Sequence, residues 1–218
     1  MCETEQRQSI IDACRKMETA GLNQGTSGNI SLRHGSDMLI TPSSTPYDAM
    51  QPEMIVTMPL AGAVSDTAGA WSGPLKPSSE WRFHRDILRA RPEIGAVVHA
   101  HSPYCTALAI TRRAIPACHY MIAAFGGTDV RCSPYATFGT PELSAYAVQA
   151  LEGRTACLLA NHGMIVCAPA LPRAMWLAVE LETIARQYVQ SLLIGGPIIL
   201  TDAEIAEAAA KFATYGAR

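Results

Sequence analysis

What this 218-residue sequence lacks narrows its class before any motif is read. No apolar run approaches the roughly 18–20 residues that span a bilayer. The longest, Val189 to Leu200, is broken by Gln190, Ser191, Gly195, Gly196 and Pro197. The opening MCETEQRQ has no basic segment leading into an apolar stretch, so no secretory signal is read and a cytoplasmic protein is expected. Seven cysteines stand singly, without CxxC spacing, which fits reduced thiols better than a disulfide framework. Basic excess is missing too: 17 Lys and Arg against 19 Asp and Glu leave a net charge of −2, which argues against a dedicated nucleic-acid binder. There is no internal repeat, low-complexity tract or long linker. What is present, 49% apolar and 17% charged residues, suits a folded domain with a large core.

The pattern along the chain alternates helices and strands. A helical stripe of Ile10, Ile11, Cys14 and Met17 predicts a helix from Glu3 to Ala20, closed by Gly21. A glycine-rich loop (GLNQGTSGN) leads to a hairpin, Ile30–Arg33 and Met38–Thr41, turned at HGSD. Strands are expected at Met54–Met58 and Gly62–Ser65. Ser78 or Ser79 is expected to cap a helix through Trp81, Phe83, Ile87 and Leu88, stopped at Arg91-Pro92. Further strands are read at Ala96–Ala100, Val130–Tyr135, Ala156–Ala160 and Met164–Cys167. Further helices are read at Pro103–Arg112, from Pro141 to near Gly153, at Pro172–Leu193 and from Thr201-Asp202 to Phe212. The class is α/β, a single domain over residues 1–218 with a mixed sheet and helices on its faces.

Chemistry concentrates in the histidines. His99 and His101 close a strand, and side chains at i and i+2 of a strand project to one face, so both imidazoles can reach one point. A lone buried histidine is more often a hydrogen-bonded core residue; two at this spacing suggest a metal site. His162, after an apolar strand and before Gly163, is the third candidate ligand. Three neutral imidazoles leave a position open on zinc, the arrangement of a catalytic site, while manganese, cobalt and iron remain compatible with the same ligands. His34 reads as a solvated turn residue and His84 as a packing residue, and His119 is open to either use.

Glu80 follows Pro77-Ser78-Ser79 at a helix start, where an acid also favours the helix dipole. Ser78 and Ser79 offer hydroxyl and amide donors at that N-terminus, an anion site. The loop Gly25-Thr26-Ser27-Gly28-Asn29 can wrap a phosphate in the same manner, or simply turn a helix into a strand.

The segments GLNQGTSGNISLR, ITPSSTPYD, PSSEWRFH, VVHAHSPYCTA, IPACHYMIAAFGG, PYATFGTPELS, LLANHGMIVC and FATYG, in this order from about Ile10 to Tyr215, resemble the class II aldolase/adducin family. The resemblance implies a three-layer α/β/α domain around a mainly antiparallel sheet. It implies zinc held by His99, His101 and His162, with Glu80 as resting ligand and then proton carrier. It places the phosphate on Thr26, Gly28, Asn29, Ser43, Ser78 and Ser79, with Ser44 beside them. It makes Tyr120 a residue that a neighbouring subunit supplies near the aldehyde end, and Tyr215 a second such tyrosine, in a homotetramer with sites at subunit interfaces. The implied reaction is reversible retro-aldol cleavage of a ketose 1-phosphate of the L-fuculose 1-phosphate type to dihydroxyacetone phosphate and a small aldehyde such as lactaldehyde. An aldolase for 5-deoxyribulose or 5-methylthioribulose 1-phosphate is the alternative. A pentulose-phosphate 4-epimerase, a methylthioribulose-phosphate dehydratase and a non-catalytic adducin-like module rank behind.

Three features bear on those expectations. Only Lys16, Lys76 and Lys211 exist, and Lys76 lies in a polar connector, which favours the metal route over an imine. The family's aldolases often have TPTG where this chain has Thr41-Pro42-Ser43-Ser44, so Ser44 replaces a glycine. Arg218 stands three residues beyond Tyr215, so little C-terminal tail is expected over the aldehyde pocket.

Overall fold

The computed structural model describes residues 2–62 and 70–214. Helix α1 (Glu3–Thr19) buries the predicted stripe of Ile10, Ile11, Cys14 and Met17, with Glu3 and Glu5 in the first turn where acids favour the helix dipole. The hairpin β1 (Asn29–His34) and β2 (Asp37–Ile40) follows as expected, turned through Gly35 at φ +57°. The strand read from Met54 begins later: Pro52–Met54 is a 3-10 turn, and β3 is Val56–Pro59. Of the segment Gly62–Ser65, residues 63–65 lie outside the described residues.

The remaining elements are α2 (Trp81–Ala90), β4 (Ala96–Ala100), α3 (Pro103–Ile110), β5 (Ile115–Pro116), a 3-10 helix (Tyr120–Phe125), β6 (Asp129–Ser133), α4 (Pro141–Ala150), β7 (Ala156–Leu159), β8 (Gly163–Ala168), α5 (Leu171–Leu193) and α6 (Asp202–Thr214). One of the expected caps is corrected. Glu80 itself holds the N-cap position of α2, while the Ser78 hydroxyl accepts the Glu80 N–H at 3.3 Å. No helix among the described residues is long and apolar enough to cross a membrane.

Among the described residues the strands form one sheet of eight in the order β3-β2-β1-β4-β8-β7-β6-β5. Only β6 and β7 pair in parallel. The period-2 alternation of the central strands divides the core. Ala96, Val98 and Ala100 of β4, with Met164 and Val166 of β8, face α1, α3 and α5. Val97 of β4, with Ile165 and Cys167 of β8, faces α2 and α4. The result is the expected α/β/α sandwich, and burial of each Val, Ile or Met side chain among these stabilises it by about 1.5–3 kcal/mol. All seven cysteines carry free thiols. Because odd-numbered β4 positions face α2, His99 is aimed at the start of that helix, where Phe83 meets its ring edge-on at 5.3 Å.

Candidate metal centre and phosphate cradle

Three separate elements end at one place. Strand β4 delivers His99 and, just past its last residue, His101. The β7–β8 turn delivers His162, and the N-terminus of α2 delivers Glu80. The turn is built for close approach. Asn161 sits at φ +55°, a conformation asparagine tolerates better than most residues. Its N–H donates to the Ala109 carbonyl at 2.9 Å, and Arg112 Nε donates to its Oδ1 at 3.0 Å. A Cβ on Gly163 would stand 2.6 Å from the Ala100 carbonyl oxygen, so glycine is what lets β8 start against β4.

The imidazole rings meet with centroids 4.8–4.9 Å apart in all three pairs. His99 Nε2 lies 3.0 Å from His101 Nε2 and 3.2 Å from Glu80 Oε2, and His162 Nε2 lies 3.2 Å from Glu80 Oε1. His99 Nδ1 is 2.9 Å from the Met164 carbonyl, which can only accept, so Nδ1 carries a proton and neutral His99 presents a lone pair at Nε2. Lone pairs of nitrogens and a carboxylate converging at such distances repel one another unless a cation lies between them. The donor set therefore fits a divalent metal ion, and the backbone hydrogen bond behind His99 supplies the orientation such ligands need.

Glu80 is buried, and Asn29 Nδ2 donates to its Oε2 at 2.9 Å, whereas Oε1 receives no hydrogen bond. Burial works to raise the Glu80 pKa, but positive charge at the facing nitrogens of His99 and His162, from a proton or from a bound cation, outweighs it and holds the carboxyl far below its ordinary range. Burial lowers His101 to about 4, reinforced by the other two rings, so His101 is neutral near pH 7.

Beside this cluster is a cavity of about 340 Å³. Thr26, Gly28 and Asn29 line one wall, Ser43, Ser44, Ser78 and Ser79 another, and Tyr135, Ala136 and Phe138 the rim. The two serine loops are stitched together: the Ser43 N–H donates to the Lys76 carbonyl and the Ser78 N–H to the Thr41 carbonyl, both at 2.9 Å. Ser44, which replaces the family's glycine, stands at φ +53°, where glycine is favoured. Tyr47 and Asn23 pin the third loop. The Tyr47 hydroxyl donates to the Gly28 carbonyl at 2.6 Å and accepts from Asn23 Nδ2 at 2.9 Å, while Asn23 Oδ1 accepts the His101 N–H at 3.3 Å. Burial raises the Tyr47 pKa, keeping it a donor.

Tyr120 is elsewhere. It is half exposed, stacks on Phe212 at 6.1 Å, and lines a separate groove with Trp176 and Leu200. Tyr215 lies outside the described residues. Two roles escaped sequence reasoning. Glu182, which no sequence motif singles out, accepts the N–H groups of Tyr104 and Cys105 at 2.9 Å each and so caps α3 shortly after His101. His84, read as packing, is hydrogen-bonded at both nitrogens, to Ser31 Oγ at 2.8 Å and Asn29 Oδ1 at 2.5 Å.

Comparison with known proteins shows the family. Residues 8–189 match the family model described as Class II Aldolase and Adducin N-terminal domain. The chain is 52% identical over 210 residues to the 5-methylthioribulose-1-phosphate/5-deoxyribulose-1-phosphate aldolase of Rhodospirillum rubrum, covering 96% of this chain and 92% of that one. It is 48% identical over 210 residues to the L-fuculose phosphate aldolase of Escherichia coli, covering 96% and 94%. A solved L-fuculose 1-phosphate aldolase superposes with a TM-score of 0.89 at 39% identity, covering 95% of each chain. The chain belongs to the class II aldolase and adducin family. Within it, the complete histidine set places the chain with the metal-dependent aldolases, which are aldehyde-lyases.

Proposed function

We propose that this protein cleaves a five-carbon ketose 1-phosphate, 5-deoxyribulose or 5-methylthioribulose 1-phosphate, between C3 and C4. The products are dihydroxyacetone phosphate and acetaldehyde or its methylthio derivative. The observation that carries the reaction is the convergence of His99, His101, His162 and Glu80 beside a cradle of neutral donors. What favours this substrate over L-fuculose 1-phosphate, the first expectation from the sequence blocks, is the 52% identity to a relative named for the pentulose substrates, against 48% to a relative named for fuculose phosphate. The side chains of Tyr135, Ala136 and Phe138 beside the cavity suit the methyl or methylthio end that all three ketose 1-phosphates carry.

Imidazole and carboxylate donors suit zinc, which when bound supplies the Lewis acidity that stabilises the negative charge left on the ketone half after cleavage. Glu80, ionised at rest, would take the proton from C3 in the condensation direction and, once it carries that proton, give it back to C3 in cleavage, with Oε1, which receives no hydrogen bond, as the atom that serves. The phosphate is held by Thr26, Ser43, Ser44, Ser78 and Ser79 and by amides of the Gly28–Asn29 loop, with the N-terminus of α2 adding its partial positive charge. The Asn29 side chain is turned to Glu80. Tyr120, remote from its own cavity, exchanges the proton on the C4 oxygen in a neighbouring subunit of a homotetramer, and Tyr215 is a second tyrosine assigned to the aldehyde end. The exposed Leu193, Ile194 and Ile198 after α5 support burial against a further copy.

The test is to incubate zinc-loaded protein with the three ketose 1-phosphates and assay dihydroxyacetone phosphate. Release from the two pentulose phosphates with kcat/KM above that for fuculose phosphate is expected. No release from any of them overturns the reading. Loss of water with all carbons retained would make the protein a dehydratase, and an epimer without cleavage would make it an epimerase.

A further inference from the structure

His84 lies one turn beyond Glu80 on α2, is fully buried, and reaches no atom of the cavity wall except through Asn29. We propose that His84 is a positioning residue, which fixes the Glu80 carboxylate through the side-chain amide of Asn29. The proposal rests on Glu80 having the role given above.

The argument is one of donors and acceptors. Asn29 and Ser31 are i and i+2 on β1, so both side chains face α2, where His84 lies between them. Glu80 Oε2 is a carboxylate oxygen and can only accept, so the Asn29 NH2 must be the group turned toward it, at 2.9 Å. Asn29 Oδ1 is then turned toward His84, 2.5 Å from Nε2, and being an acceptor it makes Nε2 the protonated nitrogen. Nδ1 is left as an acceptor, and the Ser31 hydroxyl 2.8 Å away is its donor. Every hydrogen bond from Ser31 to Glu80 therefore runs in one sense. Reversing the Asn29 amide would set its oxygen against the carboxylate.

An apolar side chain at position 84 would pack well beside Phe83 and Ile87, both buried on the same helix. A polar ring in that place has a structural cost that only a specific partner justifies. What the chain secures is asymmetry in the carboxylate: Oε2 is tied, whereas Oε1 is buried without a hydrogen bond and is the oxygen left for a cation or a proton. Without His84, the Asn29 amide loses the N–H donor that fixes its oxygen, and Glu80 is freed to rotate.

The experiment compares His84→Leu, His84→Gln and Ser31→Ala with the wild type. The readouts are kcat and KM on the best ketose 1-phosphate and Co²⁺ binding to metal-free protein, followed by its visible absorption. Groups supporting a ligand from behind change activity or metal affinity by about 10–100-fold. His84→Leu is expected to lose that much in kcat and in Co²⁺ affinity with KM little changed. His84→Gln, whose amide NH2 reaches Oδ1, should recover most of both, and Ser31→Ala should fall between. Wild-type kcat and Co²⁺ affinity in His84→Leu overturn the proposal, as does equal impairment of the Leu and Gln variants. Should His84→Leu fail to fold, unchanged values in Ser31→Ala overturn it. If the wild type cleaves no ketose phosphate while the Co²⁺ series behaves as described, the positioning role stands and the proposed reaction falls.

Discussion

Glu80→Gln separates chemistry from architecture because the two side chains have one shape. In the variant, the amide oxygen can keep the hydrogen bond from Asn29 Nδ2, now 2.9 Å from Glu80 Oε2, and the amide nitrogen can face the lone pair of His162. A charge-assisted bond becomes a neutral one, a loss of about 1 kcal/mol, and removing a buried anion offsets part of it. For a chain of this length 1 kcal/mol moves the melting temperature by about 2–4 °C, so the fold should survive with a barely altered melt. The rate should not. A lost general acid–base group costs about 10²–10⁴-fold, equivalent to about 3–5.5 kcal/mol in the barrier. The assay is dihydroxyacetone phosphate release under single-turnover conditions, with bound metal measured in the same sample. A folded, metal-loaded variant within tenfold of the wild type would refute the assignment and leave Glu80 as a helix-start acid.

Three further outcomes are expected. Chelation should abolish cleavage and a divalent metal restore it; with metal at about 100 times its dissociation constant the lost stabilisation is about 2.7 kcal/mol, so the chelated protein should melt about 5–10 °C lower, and an unchanged melt and activity would exclude a metal centre. Ser44→Gly should raise stability by about 0.5–1 kcal/mol, since the left-handed backbone costs a side-chain-bearing residue more than glycine loses in unfolded-state entropy; a lower melting temperature would mean that the Ser44 hydroxyl, 3.4 Å from Ser43 Oγ, matters more than the strain. A thiol reagent should react fastest with exposed Cys2, more slowly with half-buried Cys118 and Cys132, and least with Cys14, Cys105, Cys157 and Cys167, which are buried and whose thiols burial raises, Cys167 to about 11; seven equally fast thiols in the native protein would contradict the core described.

The elements that sequence located best are those whose side-chain period is strict. The run from Ala96 to Ala100 is a strand with the bounds read from the sequence, and α5 differs from its expected start by one residue. Periodicity had nothing to measure in the short β5 or in the 3-10 helix at Tyr120, where IPACHYMIAAF shows neither a period of two nor one of 3.6. The metal-ligand candidates were legible because His99 and His101 are local, and strand geometry alone brings them together. His162, Glu80 and the cradle became a single site only through the family resemblance. The contacts that escaped notice are the long-range polar ones. Glu182 is 78 residues from the α3 amide of Tyr104, and Asn29 is 51 from Glu80. No spacing rule connects a carboxylate to a helix it meets only through packing.

The two halves of the site are mechanically joined, and that has a consequence for how substrates are chosen. Asn23 holds the phosphate-side loop through Tyr47 and Ser27 and the metal side through the His101 N–H, so the cradle and a ligand share one buried amide. Gly28 packs so closely that a Cβ there would stand 2.8 Å from the His99 carbonyl oxygen. Neither half can shift without disturbing the other, because the loops that carry the cradle are pinned to the strand that carries the histidines. The rim is different. Tyr135 and Phe138 are 53% and 64% exposed on the connection between β6 and α4. That connection meets the cradle where Gly139, at φ +76°, approaches the Ser79 carbonyl so closely that a Cβ would stand 2.9 Å from it. Aromatic side chains held there by backbone alone can change size without moving a metal ligand or a serine of the cradle. On the reaction proposed above, aldehyde preference is the property this architecture leaves open to variation, while the bond broken is set by residues that cannot vary independently.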